Sequence, residues 1–220
     1  NCHAALPTCS PSRASFMTGV YPHNHGVLQV EHVVADDQSR LRERYPHWPA
    51  ILADSGYDTG YFGKWHIERT NELERFGWRI NGSDEASAFR AIGAGIEETG
   101  SLLEGADPIR YIRGPEGYNE VLHYAVTKVE PEERSFHRIT SSAIDYVREA
   151  SSGDKPWACM VSFSEPNTPL VCSKSTFERY DLNTLRMPEN GGDGFENAPG
   201  FYRRQAGIYS DVSDREWLEL

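Results

Sequence analysis

Residues 9–19 read Cys-Ser-Pro-Ser-Arg-Ala-Ser-Phe-Met-Thr-Gly, and residues 56–66 read Gly-Tyr-Asp-Thr-Gly-Tyr-Phe-Gly-Lys-Trp-His. In the first block Ser10 can cap a helix, Pro11 suits the first helical position, and Gly19 is a stop signal. The block predicts a short helix with Cys9 just before its N-terminus and Arg13 four residues on, on the same face. The second block follows a helix expected from Trp48 to Gly56, and its aromatic run Tyr57 to Phe62 predicts a strand. Gly63-Lys64-Trp65-His66 begins where that strand ends. In an extended segment Lys64 and His66 would point to one side, where both could reach one anion.

Outward from these blocks, residues 71–133 lose periodicity. Turn signals such as Asn81-Gly82 and Gly114-Pro115 predict an irregular insertion or lid there. Arg134 to Ser151 recovers a helical period, with Phe136, Ile139, Ala143, Tyr146 and Val147 near one face. Trp157-Ala-Cys-Met-Val-Ser-Phe predicts a buried strand, followed by the loop Ser164 to Pro169. Residues 183–200 read as a loop and Asp214 to Leu220 as the start of a helix. Polar loops thus follow strands repeatedly, as when a ligand sits at the carboxyl ends of an α/β sheet.

With 38% hydrophobic and 25% charged residues, the 220-residue chain has the composition of a soluble globular protein with a sizeable core. Its net charge of -11 argues against nucleic acid as a partner, so an anionic substrate would need a local cationic pocket. No apolar run approaches the roughly 20 residues that span a bilayer, and the first residues lack a signal-peptide pattern. No compartment follows from this. Cys2, Cys9, Cys159 and Cys172 lack the spacing of a zinc site or a disulfide framework. Cys159, in an apolar run, reads as a small buried hydrophobe.

Taken singly, a cysteine in a turn, a solvated arginine and a structural histidine are the simpler readings. Together, Cys9-x-Pro11-Ser12-Arg13-x-x-x-x-Thr18-Gly19 and Gly56-Tyr57-x-Thr59-x-x-x-Gly63-Lys64-Trp65-His66 resemble the two signatures of the type I, formylglycine-dependent sulfatases, in that family's order. The resemblance implies the alkaline-phosphatase-like α/β sandwich, with a largely parallel sheet between helices. The whole of residues 1–220 would then be part of a single catalytic domain. It also implies a formylglycine-generating maturation enzyme that oxidises Cys9 to an aldehyde, which hydrates to a geminal diol. One hydroxyl would attack sulfur and the other would later expel sulfate, splitting a hard hydrolysis into two easier steps. Arg13 would hold the diol, Lys64 would bind sulfate and diol oxygens, and His66 would take a diol proton.

A third family feature is a Pro-His-x-Pro loop after a buried strand, and the matching text is Pro166-Asn167-Thr168-Pro169. Asn167 can contact a substrate but cannot give up a proton near neutral pH. Three readings stay open: another group supplies the proton, the leaving group needs none, or the protein is a weakened or inactive member. His23 and His25 read as structural or pocket-lining. The family's single divalent cation, calcium with magnesium as the alternative, would find only oxidised Cys9 as a ligand here. Asp36-Asp37 follows the nucleophile and reads as a solvated acidic loop. The implied activity is hydrolysis of a small-molecule or glycan sulfate ester, with the isolated 220-residue chain inactive. Its rivals are a formylglycine-dependent phosphonate or phosphate ester hydrolase and a non-catalytic binder of sulfated ligands.

Overall fold

The computed structural model describes residues 3–70, 72–83, 100–112, 120–189, 191–192 and 195–219. Two compact units emerge, one from residues 1–98 with 132–164, the other from residues 99–131 with 165–220.

The first unit is built on strands β1 (Asp58–Gly63), β2 (Ile80–Ser83) and β5 (Trp157–Ser162), all parallel, in the order β2-β1-β5. The central strand carries side chains to two cores by simple alternation. Tyr61 enters a core with Ala14, Met17, Val27, Leu41, Trp65, Ile67, Leu73, Phe76 and Trp78. Phe62 points the other way, onto Ala143 and Tyr146. Each fully buried large apolar side chain here contributes about 1.5–3 kcal/mol.

Helices α1 (Cys9–Thr18), α2 (Pro22–His25) and α3 (Trp48–Asp54) accompany the first core, and α4 (Ser135–Ser152) covers the second. As expected, α4 buries Ala143 and Tyr146 and packs Ile139 and Val147 against Phe62. Strand β5 departs from the buried strand expected, since Trp157 and Val161 are each 38% exposed at the sheet's edge.

Helix α1 also starts earlier than its signals imply. Thr8, not Ser10, occupies the cap position, and Cys9 is the first helical residue. The reason is a tertiary competitor: the buried Ser10 hydroxyl accepts the Glu31 backbone N–H at 3.2 Å instead of capping. Gly19 ends the helix as expected.

The second unit holds β3 (Ile109–Ile112), β4 (Val121–Thr127) and β6 (Leu170–Ser173), with β4 antiparallel to β3 and parallel to β6. Leu102, Ala125 and Val171 form its core. Helices α5 (Lys174–Phe177), α6 (Gly200–Ile208) and α7 (Asp214–Glu219) follow. Helix α5 is capped by the Ser173 hydroxyl accepting from the Thr176 N–H.

Part of the stretch 71–133, expected to be irregular, forms strands. Asn81-Gly82, read as a turn, lies inside β2, and β3 and β4 follow in the same stretch. Strands of four residues show too little alternation to stand out, and β2 is held by its pairing with β1. Residues 84–99 and 113–119, including Gly114-Pro115, lie outside the described residues, as do Cys2, Gly194 and Leu220. Among the described residues, no helix is long and apolar enough to cross a membrane.

Candidate active site

Cys9 stands partly exposed in the first turn of α1, and Arg13 lies one turn further on. One guanidinium nitrogen of Arg13 donates to Ser162 Oγ at 2.7 Å and to the Lys64 carbonyl at 3.2 Å. The Tyr61 hydroxyl donates to that same carbonyl. The Lys64 N–H in turn donates to the Ser162 carbonyl at 2.8 Å. Helix α1 and the carboxyl ends of β1 and β5 are thereby tied at one point, and the Lys64 side chain starts from a fixed backbone.

The chain turns sharply after β1. Gly63 has φ 92° and His66 has φ 54°, so the extended geometry expected for Lys64 and His66 does not hold. Their placement is set by the folded loop rather than by strand alternation.

Positive charge is crowded at this corner. Burial, and then the charge of Arg13, lower the Lys64 pKa, while Cys9 and Glu31 act in the opposite direction. Burial brings His66 down to about 3, helped by Lys64, His32 and Arg13. The ring is therefore neutral near pH 7. An anion bound among these groups would offset the mutual repulsion and raise both values.

His66 Nε2 lies 3.1 Å from His32 Nδ1 and 3.4 Å from Glu31 Oε1, while its Nδ1 is buried with no hydrogen-bond partner. With the ring neutral, the approach to Glu31 is not an ion pair. Glu31 and His32 belong to the short 3₁₀ turn Glu31–Val33. Burial raises the Glu31 pKa, opposed by its hydrogen bond from Arg69, whose Nε reaches Oε2 at 3.2 Å. Sequence reasoning did not find either residue, because a buried glutamate in a polar stretch leaves no periodic mark.

Beside Arg13 opens a cavity of about 230 Å³, lined by Ser12, Phe16, Met17, Tyr61, Ile67 and Met160. His25 is structural, as expected: Nδ1 accepts the Val27 N–H and Nε2 lies 3.0 Å from Ser15 Oγ. His23 stacks on exposed Tyr21. The structure thus brings Arg13 and Lys64 into contact through backbone, with Cys9 within electrostatic reach of Lys64 and His66 within that of both. Asn167 belongs to the second unit, exposed in the turn before β6.

The family model described as Sulfatase matches residues 1–191. An uncharacterized sulfatase, YidJ, of Escherichia coli (strain K12) is 24% identical over 91% of this chain and 37% of its own length. A choline-sulfatase of Rhizobium meliloti (strain 1021) is 22% identical over 87% of this chain and 35% of its own length. The chain thus spans little more than a third of these relatives. Among solved structures, Ps i-CgsB in complex with k-i-k-neocarrahexaose superposes with a TM-score of 0.54 at 18% identity, covering 93% of this chain and 44% of that one. The sulfatase yidJ of Bacteroides fragilis gives 0.51 at 21% identity, covering 99% and 49%. These likenesses establish the alkaline-phosphatase-like α/β fold with its parallel central sheet.

Proposed function

This chain belongs to the sulfatase family, and on that premise we propose that the protein containing it hydrolyses a small-molecule or glycan sulfate monoester to an alcohol and sulfate, with Cys9 oxidised to formylglycine as nucleophile. The observation that carries this reading is the Arg13 hydrogen bond to the Lys64 carbonyl, which joins two motifs 51 residues apart beside Cys9. A cysteine spent as a structural thiol would need no such cationic corner.

In the proposed reaction one hydroxyl of the hydrated aldehyde attacks sulfur, the ester S–O bond breaks, and the alcohol leaves carrying the proton that the attacking hydroxyl gives up. Lys64 and Arg13 offset the charge on the sulfuryl oxygens and the diol. His66 then takes the proton of the second hydroxyl, the C=O bond re-forms and sulfate is expelled. Asn167 is assigned a substrate contact through its amide, which donates no proton in this reaction. Both units are assigned to one catalytic domain, because the family match crosses from the first into the second.

The family resemblance also implies a calcium or magnesium ion bound through oxidised Cys9. Among the described residues, the three-residue group able to hold a metal is Glu31, His32 and His66. Two imidazoles and one carboxylate do not fit an ion that prefers six or more oxygens. The steps above therefore use the chain's own side chains.

The test is to make the full-length protein with the maturation enzyme and examine the Cys9 peptide by mass spectrometry. Rates on an aryl sulfate and an aryl phosphonate follow. Formylglycine with faster sulfate turnover supports the proposal, and faster phosphonate turnover moves it to phosphorus esters. Unmodified cysteine, while a control sulfatase from the same cells is converted, removes the covalent mechanism.

A further inference from the structure

Glu31, His32 and His66 bring one ligand atom each to within 4.8 Å of one another. His32 Nδ1 and His66 Nε2 are 3.1 Å apart, His66 Nε2 and Glu31 Oε1 3.4 Å, and His32 Nδ1 and Glu31 Oε1 3.7 Å. A tetrahedral ion seated just above the plane of this triangle would lie about 2.1 Å from every corner, which is the length of a Zn–N or Zn–O bond. Ligands of a tetrahedral ion at that bond length stand about 3.4 Å from one another, close to the separations observed. We propose that Glu31, His32 and His66 bind one zinc-class divalent ion, with a fourth position open to water or an anion.

The surroundings hold the carboxylate for this purpose. Arg69 Nε takes Glu31 Oε2 at 3.2 Å and the Ser10 hydroxyl takes the Glu31 N–H, leaving Oε1 turned toward the two rings. Outer partners of this kind fix the orientation of a metal ligand. The donor set also chooses the ion. Imidazole with a single carboxylate suits zinc, cobalt or nickel, and discriminates against calcium and magnesium.

Binding has a chemical consequence. An ion on Nε2 leaves the proton of the neutral His66 ring on Nδ1, so the ring can donate a hydrogen bond but cannot accept a proton. Loading this site and using His66 as a base are mutually exclusive, and zinc is expected to inhibit any reaction that needs the base.

The test uses the full-length protein, stripped with a chelator and dialysed, then titrated with Co²⁺ while visible absorption is recorded. One equivalent giving the strong bands of tetrahedral cobalt, bleached by Zn²⁺, is the expected result. His32→Gln removes one ligand at a side chain 37% exposed, so the fold should survive, as circular dichroism will verify. The variant is expected to lose about ten-fold or more in cobalt affinity, together with the tetrahedral bands. Glu31→Gln provides a second ligand deletion with the same expected loss. Absence of tetrahedral bands in the wild type, or equal bands and affinity in folded His32→Gln, would overturn the proposal.

Discussion

Gly56 and Gly63 have nearly the same φ, 90° and 92°, in different surroundings. A Cβ at Gly56 meets nothing within 4 Å, whereas at Gly63 it would lie 2.1 Å from the Ser162 carbonyl oxygen and 3.2 Å from Ile139 Cγ2. Gly56→Ala should therefore cost only the left-handed backbone, about 1–2 kcal/mol. Gly63→Ala carries that same cost and must also push β1 from β5, since ordinary nonbonded contacts begin at about 3.5 Å. The strands would part where the Lys64 N–H meets the Ser162 carbonyl at 2.8 Å, adding about 1 kcal/mol for the lost bond. With backbone displacement included, roughly 4 kcal/mol or more is expected. Arg13, which spans Lys64 and Ser162, would then lose one acceptor or both. Denaturant unfolding of the full-length wild type and both variants reads the difference directly. If Gly63→Ala comes within about 1 kcal/mol of Gly56→Ala, the close approach of β1 and β5 is wrong, and with it the placement of Lys64.

His47 is stacked on Phe76 at 4.7 Å, and burial first, then the charges of Arg75 and His25, bring its pKa from 6.5 to about 4. Between those values the unfolded chain takes a proton that the folded chain refuses, so its contribution is full above pH 6.5 and is lost as pH falls toward 4. The loss is up to about 3 kcal/mol, and His47→Gln should flatten unfolding free energy across that window; an unchanged slope refutes the assignment. Arg13→Lys keeps the charge but not the planar fork, and should lower kcat/KM on an aryl sulfate about 100-fold. Ser162→Ala removes one acceptor and should cost less than about 10-fold; equal losses would show that the fork is not what matters. Asn167→His should raise kcat on alkyl sulfates, which have poor leaving groups, by about 100-fold, and change aryl sulfate rates little. No gain on either substrate would remove Asn167 from the site.

The residues assigned to chemistry were legible because their spacing is local. Cys9 and Arg13 share a helix face by helical repeat, and the Gly56–His66 block announces a strand and the loop behind it. What holds them was not legible. Ser10 has the chemistry of a cap, yet its hydroxyl is claimed by a backbone N–H 21 residues away. Glu31 is buried against Arg69, 38 residues on, and nothing near Glu31 signals that partner. Lys64 and His66 lie in a loop with positive φ at Gly63 and His66, for which only the glycine gave a hint. Local rules therefore locate the groups proposed to react, while long-range pairing decides which atoms they present. His66 shows the difference most sharply. Its place in the motif implies a base facing the nucleophile, and the fold instead turns one ring nitrogen onto Glu31 and His32 while leaving the other buried and unpaired. A proton can be accepted at Nδ1 only when Nε2 carries the ring's hydrogen, donated to Glu31 or His32. The two residues that spacing did not reveal thus decide whether His66 can act as a base.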